Sequence, residues 1–113
     1  MIDEVINRIT KTDLSVNPFE HKFIKEIFPK NFYEKLIENL PNQESYTPIN
    51  KTGTVSKNYP PERFVFELNL ENINKLENSK KEPLMELIKI FASPIFFKMV
   101  SNEFKKIKNY YLY

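Results

Sequence analysis

Apolar residues recur at helical spacing in the first third of the chain. Ile2, Val5, Ile6 and Ile9 are spaced to face one side of a short helix at Ile2–Ile9. The clearest amphipathic pattern is at Lys30–Leu40, where one broad apolar stripe lies opposite charged residues. The prolines at its two ends support a helix, because Pro29 suits the first helical turn and Pro41 ends the helix. The pattern therefore predicts helices at Ile2–Ile9 and Lys30–Leu40.

Two more helices are predicted near the end of the chain. Pro83 opens the first, Leu84–Ala92, and Ser93 followed by proline caps the second, Ile95–Ile107. The spacing assigns these side chains to the core: Leu84, Leu87, Ile88, Phe91, Phe97, Val100, Phe104 and Ile107, with Phe96 and Met99 flanking.

Strand patterns separate the helices. His21–Phe28 is short, rich in apolar residues and broken by Pro29, which favours a strand. Arg63–Leu70 alternates with a period of two, which favours a strand with Phe64, Phe66, Leu68 and Leu70 inward, although a helix could accommodate parts of it. The terminal Asn109–Tyr113 is aromatic and typical of a strand.

The remaining segments contain turn-forming residues. Asn42–Glu62 holds three prolines and the only glycine, which predicts an irregular surface loop, and Asn72–Lys81 is polar and predicts a turn region. Together with the helices and strands, this predicts an α+β fold with helices packed on a few strands. Residues 1–113 form a single domain or domain fragment, with residues 1–16 as an N-terminal helix and linker and residues 17–113 as the main region.

Composition limits the class of protein. The apolar content of 41% with ten Phe and six Tyr is typical of a folded chain, and no stretch reaches the ~18 apolar residues of a membrane span. Neither a signal peptide nor a cysteine is present, which predicts a soluble cytoplasmic protein. A formal net charge of +2 gives little reason to expect nucleic acid as a partner. A single glycine excludes Gly-rich phosphate loops.

Few side chains could support catalysis. His21 is the only histidine, and alone it cannot form a catalytic metal site, which needs about three protein ligands. We interpret it as a packed or hydrogen-bonded strand residue. Glu82, Glu86 and Glu103 fit solvated helix faces, and Ser93 fits a helix cap better than a nucleophile because no base is near it in the sequence.

Two segments have alternative interpretations. The C-terminal lysines and tyrosines could stack on single-stranded nucleic acid, but a solvated helix face followed by a core strand explains them better. The loop Asn42–Glu62 is either a cover over a binding site or a disordered connection. The residues of the basic and aromatic tail are Lys98, Lys105, Lys106, Lys108, Tyr110, Tyr111 and Tyr113.

The segment Asn17–Pro41 resembles the opening strand and first helix of the prolyl-hydroxylase-like iron(II)/2-oxoglutarate-dependent dioxygenases. The similarity lies in P-F-x-H-x-x-I from Pro18, I-F-P from Ile27 and F-Y-x-x-L-I-x-x-L-P from Phe32. The later R-F-V-F-E-L from Arg63 and the paired helices that follow are similar to what precedes the jelly-roll core of that family. The resemblance implies the N-terminal support layer of a double-stranded β-helix.

The chain departs from that family in its metal ligands. The family binds Fe(II) with a His-x-Asp pair and a distant His, and it anchors 2-oxoglutarate with a basic residue. A chain with one histidine cannot supply that triad. We therefore expect no catalytic, cofactor-binding or metal residues in this chain, and no Fe(II)-dependent turnover by it alone.

Two hypotheses of function follow. The first is the N-terminal portion of a dioxygenase-like protein, truncated, split between genes or decayed, which braces a catalytic barrel and is inactive alone. The second is a small non-catalytic interaction module that pairs through its C-terminal strand. If the barrel is missing, an apolar face including Phe64, Phe66, Phe97, Phe104 and Tyr111 is exposed and we expect self-association.

Overall fold

A computed structural model describes residues 1–104 of the chain. These residues form helices and one small antiparallel sheet, with single 3-10 turns at Gln43–Ser45 and Ile49–Lys51. The predicted α+β fold is therefore confirmed in its coarse form. The helices are α1 (Ile2–Lys11), α2 (Lys30–Glu38), α3 (Leu70–Asn74), α4 (Asn78–Phe91) and α5 (Pro94–Glu103), and the strands are β1 (Thr47–Pro48) and β2 (Phe64–Val65).

The main core lies where α1 meets α4 and α5. Val5 and Ile9 of α1 are buried against Ile90 of α4 and Met99 of α5. The helical spacing seen in the N-terminal sequence is thus confirmed, and α1 is docked on the rest of the chain. It also ends two residues later than the pattern predicts, at Lys11.

The predicted helix at Lys30–Leu40 is confirmed as α2, which ends earlier, at Glu38. Its apolar stripe is divided: Phe32 is buried and contacts Phe28 edge-on, whereas Tyr33 and Ile37 are about half exposed. The N-terminal half of α4 is tied to α2, because Lys35 forms an ion pair with Glu82 of α4. One face of α2 therefore packs on α4 and the other meets solvent.

The predicted strand at His21–Phe28 is wrong. Only His21 makes a β-bridge, with Ser15, and a turn at Lys25–Glu26 follows, where Glu26 has a left-handed φ of 53°. The apolar residues of this segment do not alternate regularly, so they do not specify one buried face. Ile24 and Ile27 instead pack individually against the main core.

The predicted strand at Arg63–Leu70 is also too long. Only Phe64–Val65 pairs, with Pro48 and Thr47, so the Asn42–Glu62 segment contains β1 and two 3-10 turns where a wholly irregular loop was expected. Phe66 is half-buried against Tyr46, as the alternation predicts, but Phe64 is 57% exposed. Leu68 and Leu70 also remain exposed, because the chain leaves the sheet and enters α3.

The predicted turn at Asn72–Lys81 is wrong, because this region contains most of α3 and the start of α4. The side chain of Asn69 caps α3 by accepting a hydrogen bond from Asn72 N at 2.8 Å. α4 begins at Asn78, so Pro83 lies inside the helix and does not open it. The turn before Pro83 is held from outside, since Lys80 Nζ donates to Leu40 O at 2.9 Å.

The inward faces of the last two helices differ from the prediction. Leu84 is buried as expected, but Ile90 is buried in place of Phe91, and Met99 is buried in place of Phe97. α5 starts behind the Ser93 cap as expected and ends at Glu103, with Phe104 extended (φ −118°, ψ 94°). Ile107 and the predicted strand Asn109–Tyr113 lie outside the described residues.

Candidate interaction surface

His21 is held by the backbone around it. Its amide and carbonyl exchange hydrogen bonds with Ser15 at 2.8 and 2.9 Å, and its Nδ1 lies 2.7 Å from the carbonyl oxygen of Phe19. Its ring also lies 5.2 Å from the Phe19 ring. The interpretation of His21 as a hydrogen-bonded residue is confirmed. It lies in an isolated β-bridge, however, and not in the strand that was expected.

The three glutamates considered as acid–base candidates do not come together. Each carboxylate is paired with a different lysine, so each belongs to a separate ion pair. The pairs are Glu82–Lys35 at 2.8 Å, Glu86–Lys89 at 3.4 Å and Glu103–Lys22 at 2.8 Å. The Glu82 pair joins α4 to α2, the Glu86 pair lies within α4, and the Glu103 pair joins the end of α5 to the segment after the β-bridge.

We expect Glu82 to titrate below its ordinary range. The hydrogen bond and charge of Lys35 lower the pKa of the Glu82 carboxyl. The pKa of Glu82 is lower in the folded chain than in the unfolded chain. The pair therefore stabilises the fold at pH values above the ordinary carboxyl pKa, and this contribution is lost as the pH falls through the lowered pKa. Carboxyl NMR titration should show that Lys35→Met raises the Glu82 pKa. Lys75→Met should leave it unchanged, and an equal rise in both variants would contradict the assignment.

Ser93 acts as a helix cap. Its Oγ accepts a hydrogen bond from Phe96 N at 3.1 Å and donates to Ile90 O at 2.8 Å. Both bonds hold the hydroxyl in the turn between α4 and α5. The predicted cap is therefore confirmed.

A polar pocket lies between the β1–β2 sheet and α3. Its volume is about 400 Å³, and two glutamates, Glu44 and Glu67, lie among its lining residues. Across residues 1–104, no three His, Cys, Asp or Glu side chains are arranged to hold a metal ion. The Asn42–Glu62 segment supplies Glu44, Ser45, Thr47 and Thr52 to the lining, so it forms one wall of a small polar cavity.

Exposed apolar side chains also cluster around the C-terminal end of α4. A groove of about 420 Å³ runs between α4 and the chain entering α3, and we call it the α4 groove. Leu68, Leu70 and Phe91 line it with exposed fractions of 43, 54 and 45%. Its remaining lining residues are Asn69, Leu87, Ile88 and Ala92.

The α4 groove combines residues that the sequence assigned elsewhere. Leu68 and Leu70 were expected inside a sheet, and Phe91 inside the core. The ring of Phe91 does contact Phe96 at 5.1 Å and Phe28 at 6.2 Å, so one edge of it is packed while the rest faces the groove. The signal in the sequence was Asn69, whose capping preference marks the helix start between the two leucines.

The apolar face expected at Phe64, Phe66, Phe97, Phe104 and Tyr111 is exposed in part. Phe64 and Phe97 are 57 and 59% exposed, whereas Phe66 and Phe104 are half-buried. Tyr111 lies outside the described residues, as do most members of the basic and aromatic tail; of that tail, Lys98 is exposed on α5.

No protein-family model, curated protein or solved structure matches the chain. Across residues 1–104, none of the helices has the length and apolar content needed to cross a bilayer. The resemblance to the dioxygenases and pairing through Asn109–Tyr113 both remain predictions. The exposed apolar side chains of the α4 groove are thus one basis for a proposal of function.

Proposed function

We propose that this chain is the non-catalytic N-terminal support region of a 2-oxoglutarate/Fe(II) dioxygenase-like protein, and that it packs against the catalytic barrel. Two things support the proposal: the family resemblance of Asn17–Pro41, and the exposed α4 groove. The groove is the observation that carries it, because contiguous exposed apolar surface on a folded chain typically marks a site of protein contact.

The support role also agrees with the way the groove is built. α4 is fixed from behind by the buried side chains of Leu84 and Ile90, and α3 by that of Ile73. Such buried contacts hold both walls of the groove in place before a partner arrives, which lowers the entropic cost of association. Leu68, Leu70 and Phe91 then supply the apolar contacts.

The residues present do not fit the iron centre of that family. Its facial triad needs two imidazole nitrogens and a carboxylate, and this chain has one histidine, whose Nδ1 is hydrogen-bonded to Phe19 O. We therefore assign no step of the oxygenase reaction to this chain. In this proposal, iron and 2-oxoglutarate bind to the catalytic barrel against which the chain packs.

The purified 113-residue chain should show no turnover. With Fe(II), ascorbate and 2-oxoglutarate supplied, we expect no succinate above the level in protein-free controls, because no triad is available to bind the metal. A 2-oxoglutarate dioxygenase assayed in the same buffer serves as the positive control. Production of succinate that scales with the concentration of this chain would overturn the proposal.

The positive test is to read the coding DNA beyond the codon for Tyr113. The proposal expects a frame that encodes His-x-Asp, a later His and a basic anchor. When that segment is co-expressed, we expect a complex that Leu70→Glu in the α4 groove weakens and Val16→Glu, at an exposed residue after α1, leaves intact. An unrelated sequence there would favour the alternative of a small interaction module.

A further inference from the structure

A second apolar groove lies beside α2. It occupies about 750 Å³ between α2, the segment before it and α1, and we call it the α2 groove. Ile24, Ile27 and Phe28 line it together with Tyr33, which is 54% exposed. This volume lies within the range of about 300–1,000 Å³ that is typical of clefts that bind a ligand. Exposed apolar surface of this kind commonly marks a contact site.

The end of α5 lies beside one end of the α2 groove. Glu103 is the last residue of α5, and its Oε2 is 2.8 Å from Lys22 Nζ. Lys22 comes two positions before the groove residue Ile24. Lys22 Nζ also donates to Ile9 O at 2.9 Å, next to Arg8 of the groove rim. The chain therefore leaves the described residues close to the end of the groove that Arg8 and Ile24 form.

The residues that follow have the length and the composition to fill the groove. Residues 105–113 read KKIKNYYLY, which we call the C-terminal segment: three lysines and no acidic residue, followed by three tyrosines and a leucine. Nine extended residues span at most about 30 Å. The nine residues of α2 rise only about 14 Å. The C-terminal segment can therefore reach the groove from Glu103 and follow it along α2.

We propose that the C-terminal segment binds in the α2 groove of its own chain. Its tyrosines and Leu112 cover Ile24, Ile27 and Phe28, and burial of apolar surface on both sides provides the driving force. Tyrosine suits a groove of this depth, because its ring packs on apolar side chains while its hydroxyl stays in contact with water.

The charges on the groove rim agree with this occupant. The carboxylate of Glu26 forms no ion pair within residues 1–104, and Arg8 Nη1 donates to the Glu26 carbonyl oxygen. Glu34 is paired only with Lys30, at 4.0 Å and with both side chains mainly exposed. Both carboxylates can therefore accept a lysine of the C-terminal segment. Such exposed pairs contribute little to affinity, so the tyrosines carry most of the binding.

Covalent attachment favours this groove over the α4 groove. The α4 groove ends at Ala92, just before the Ser93 cap, whereas the C-terminal segment leaves the opposite end of α5, about 15 Å away along the helix. A tethered segment has the higher effective concentration at the site nearer to its attachment point. The proposal does not rest on the proposed function, since the α4 groove remains free for a barrel.

Disulfide trapping tests the proposal in the full chain, which has no natural cysteine. Tyr33→Cys/Asn109→Cys places one thiol on the groove wall and one in the segment. The matched control carries the same two cysteines together with Tyr110→Ser and Tyr111→Ser, so its tether is identical and only the anchoring rings are missing. Under mild oxidation at low protein concentration, the intramolecular disulfide should form at least about tenfold faster with the tyrosines present, because binding raises the effective concentration of the thiols. Equal rates, or disulfides only between two chains, would overturn the proposal.

Methyl NMR of the full chain provides a second readout without cysteines. Replacing Tyr110 and Tyr111 by serine should shift the methyl resonances of Ile24 and Ile27, because aromatic rings shift the resonances of the methyl groups they cover. The methyl resonances of Ile95, which is 63% exposed at the start of α5, should stay unchanged. Unchanged resonances of both groove isoleucines would contradict the assignment. Shifts confined to the leucines of the α4 groove would also contradict it, because they would place the segment there.

Discussion

Replacing Glu103 by glutamine should lower the free energy of unfolding by about 1.5–3 kcal/mol, because it removes a charge-assisted hydrogen bond from a part-buried ion pair. Glu103 Oε2 lies 2.8 Å from Lys22 Nζ, and the lysine side chain is only 3% exposed. The neutral amide leaves the ammonium of Lys22 buried without its counter-charge. The loss follows from the desolvation of that ammonium, which the carboxylate offsets in the native chain.

The position of the pair explains why its effect should reach the whole fold. Lys22 Nζ also donates to Ile9 O of α1 at 2.9 Å, so one ammonium connects α1, the segment after the β-bridge and the last residue of α5. These are the elements that enclose the main core. Loss of the pair therefore loosens the contact of α1 with α5 as well as the end of α5.

Urea denaturation followed by circular dichroism measures the effect. The matched control is Glu71→Gln, because Glu71 pairs with Lys75 at 3.8 Å on an exposed surface of α3 and should cost under about 0.5 kcal/mol. The double variant Lys22→Met/Glu103→Met should regain much of the loss, since an apolar pair needs no counter-charge. A Glu103→Gln loss no larger than that of Glu71→Gln would contradict this account.

The sequence contains no signal for this pair, because its members are 81 residues apart and each is one of many charged residues. Helical spacing, in contrast, is a local property. It predicted α1 and α2, and the Ser93 cap fixed the start of α5. Local spacing could not settle which side faces inward in a helix that has large apolar residues on several sides.

α4 and α5 illustrate that limit. Around Ile90 and Phe91, as around Phe97 and Met99, large apolar residues stand on several sides of the helix, so more than one face could be buried. The docking of α1 decides the outcome, because its Val5 meets Ile90 and Met99 in the main core. That contact joins α1 to α4 and α5, and the spacing of apolar residues within a single helix does not predict it.

The strand predictions failed for a different reason. Alternation in Arg63–Leu70 requires a long partner strand to bury one face, and β1 offers only Thr47–Pro48. Asn69 then favours a helix start, so the alternating leucines end up on either side of a cap and line the α4 groove. The α4 groove therefore forms because Leu68 and Leu70, which were expected inside a sheet, have no paired strand beside them within residues 1–104.

Truncation of Ile90 to alanine should cost about 2–5 kcal/mol of unfolding free energy, because it leaves a cavity at the centre of the main core. Ile90 is 2% exposed and packs with Val5, Ile9 and Met99. Ile95→Ala is the matched control, since this isoleucine at the start of α5 is 63% exposed and should change stability by less than about 0.5 kcal/mol. Both values come from the same urea titration. Equal losses in the two variants would mean that the core does not lie at the junction of α1, α4 and α5.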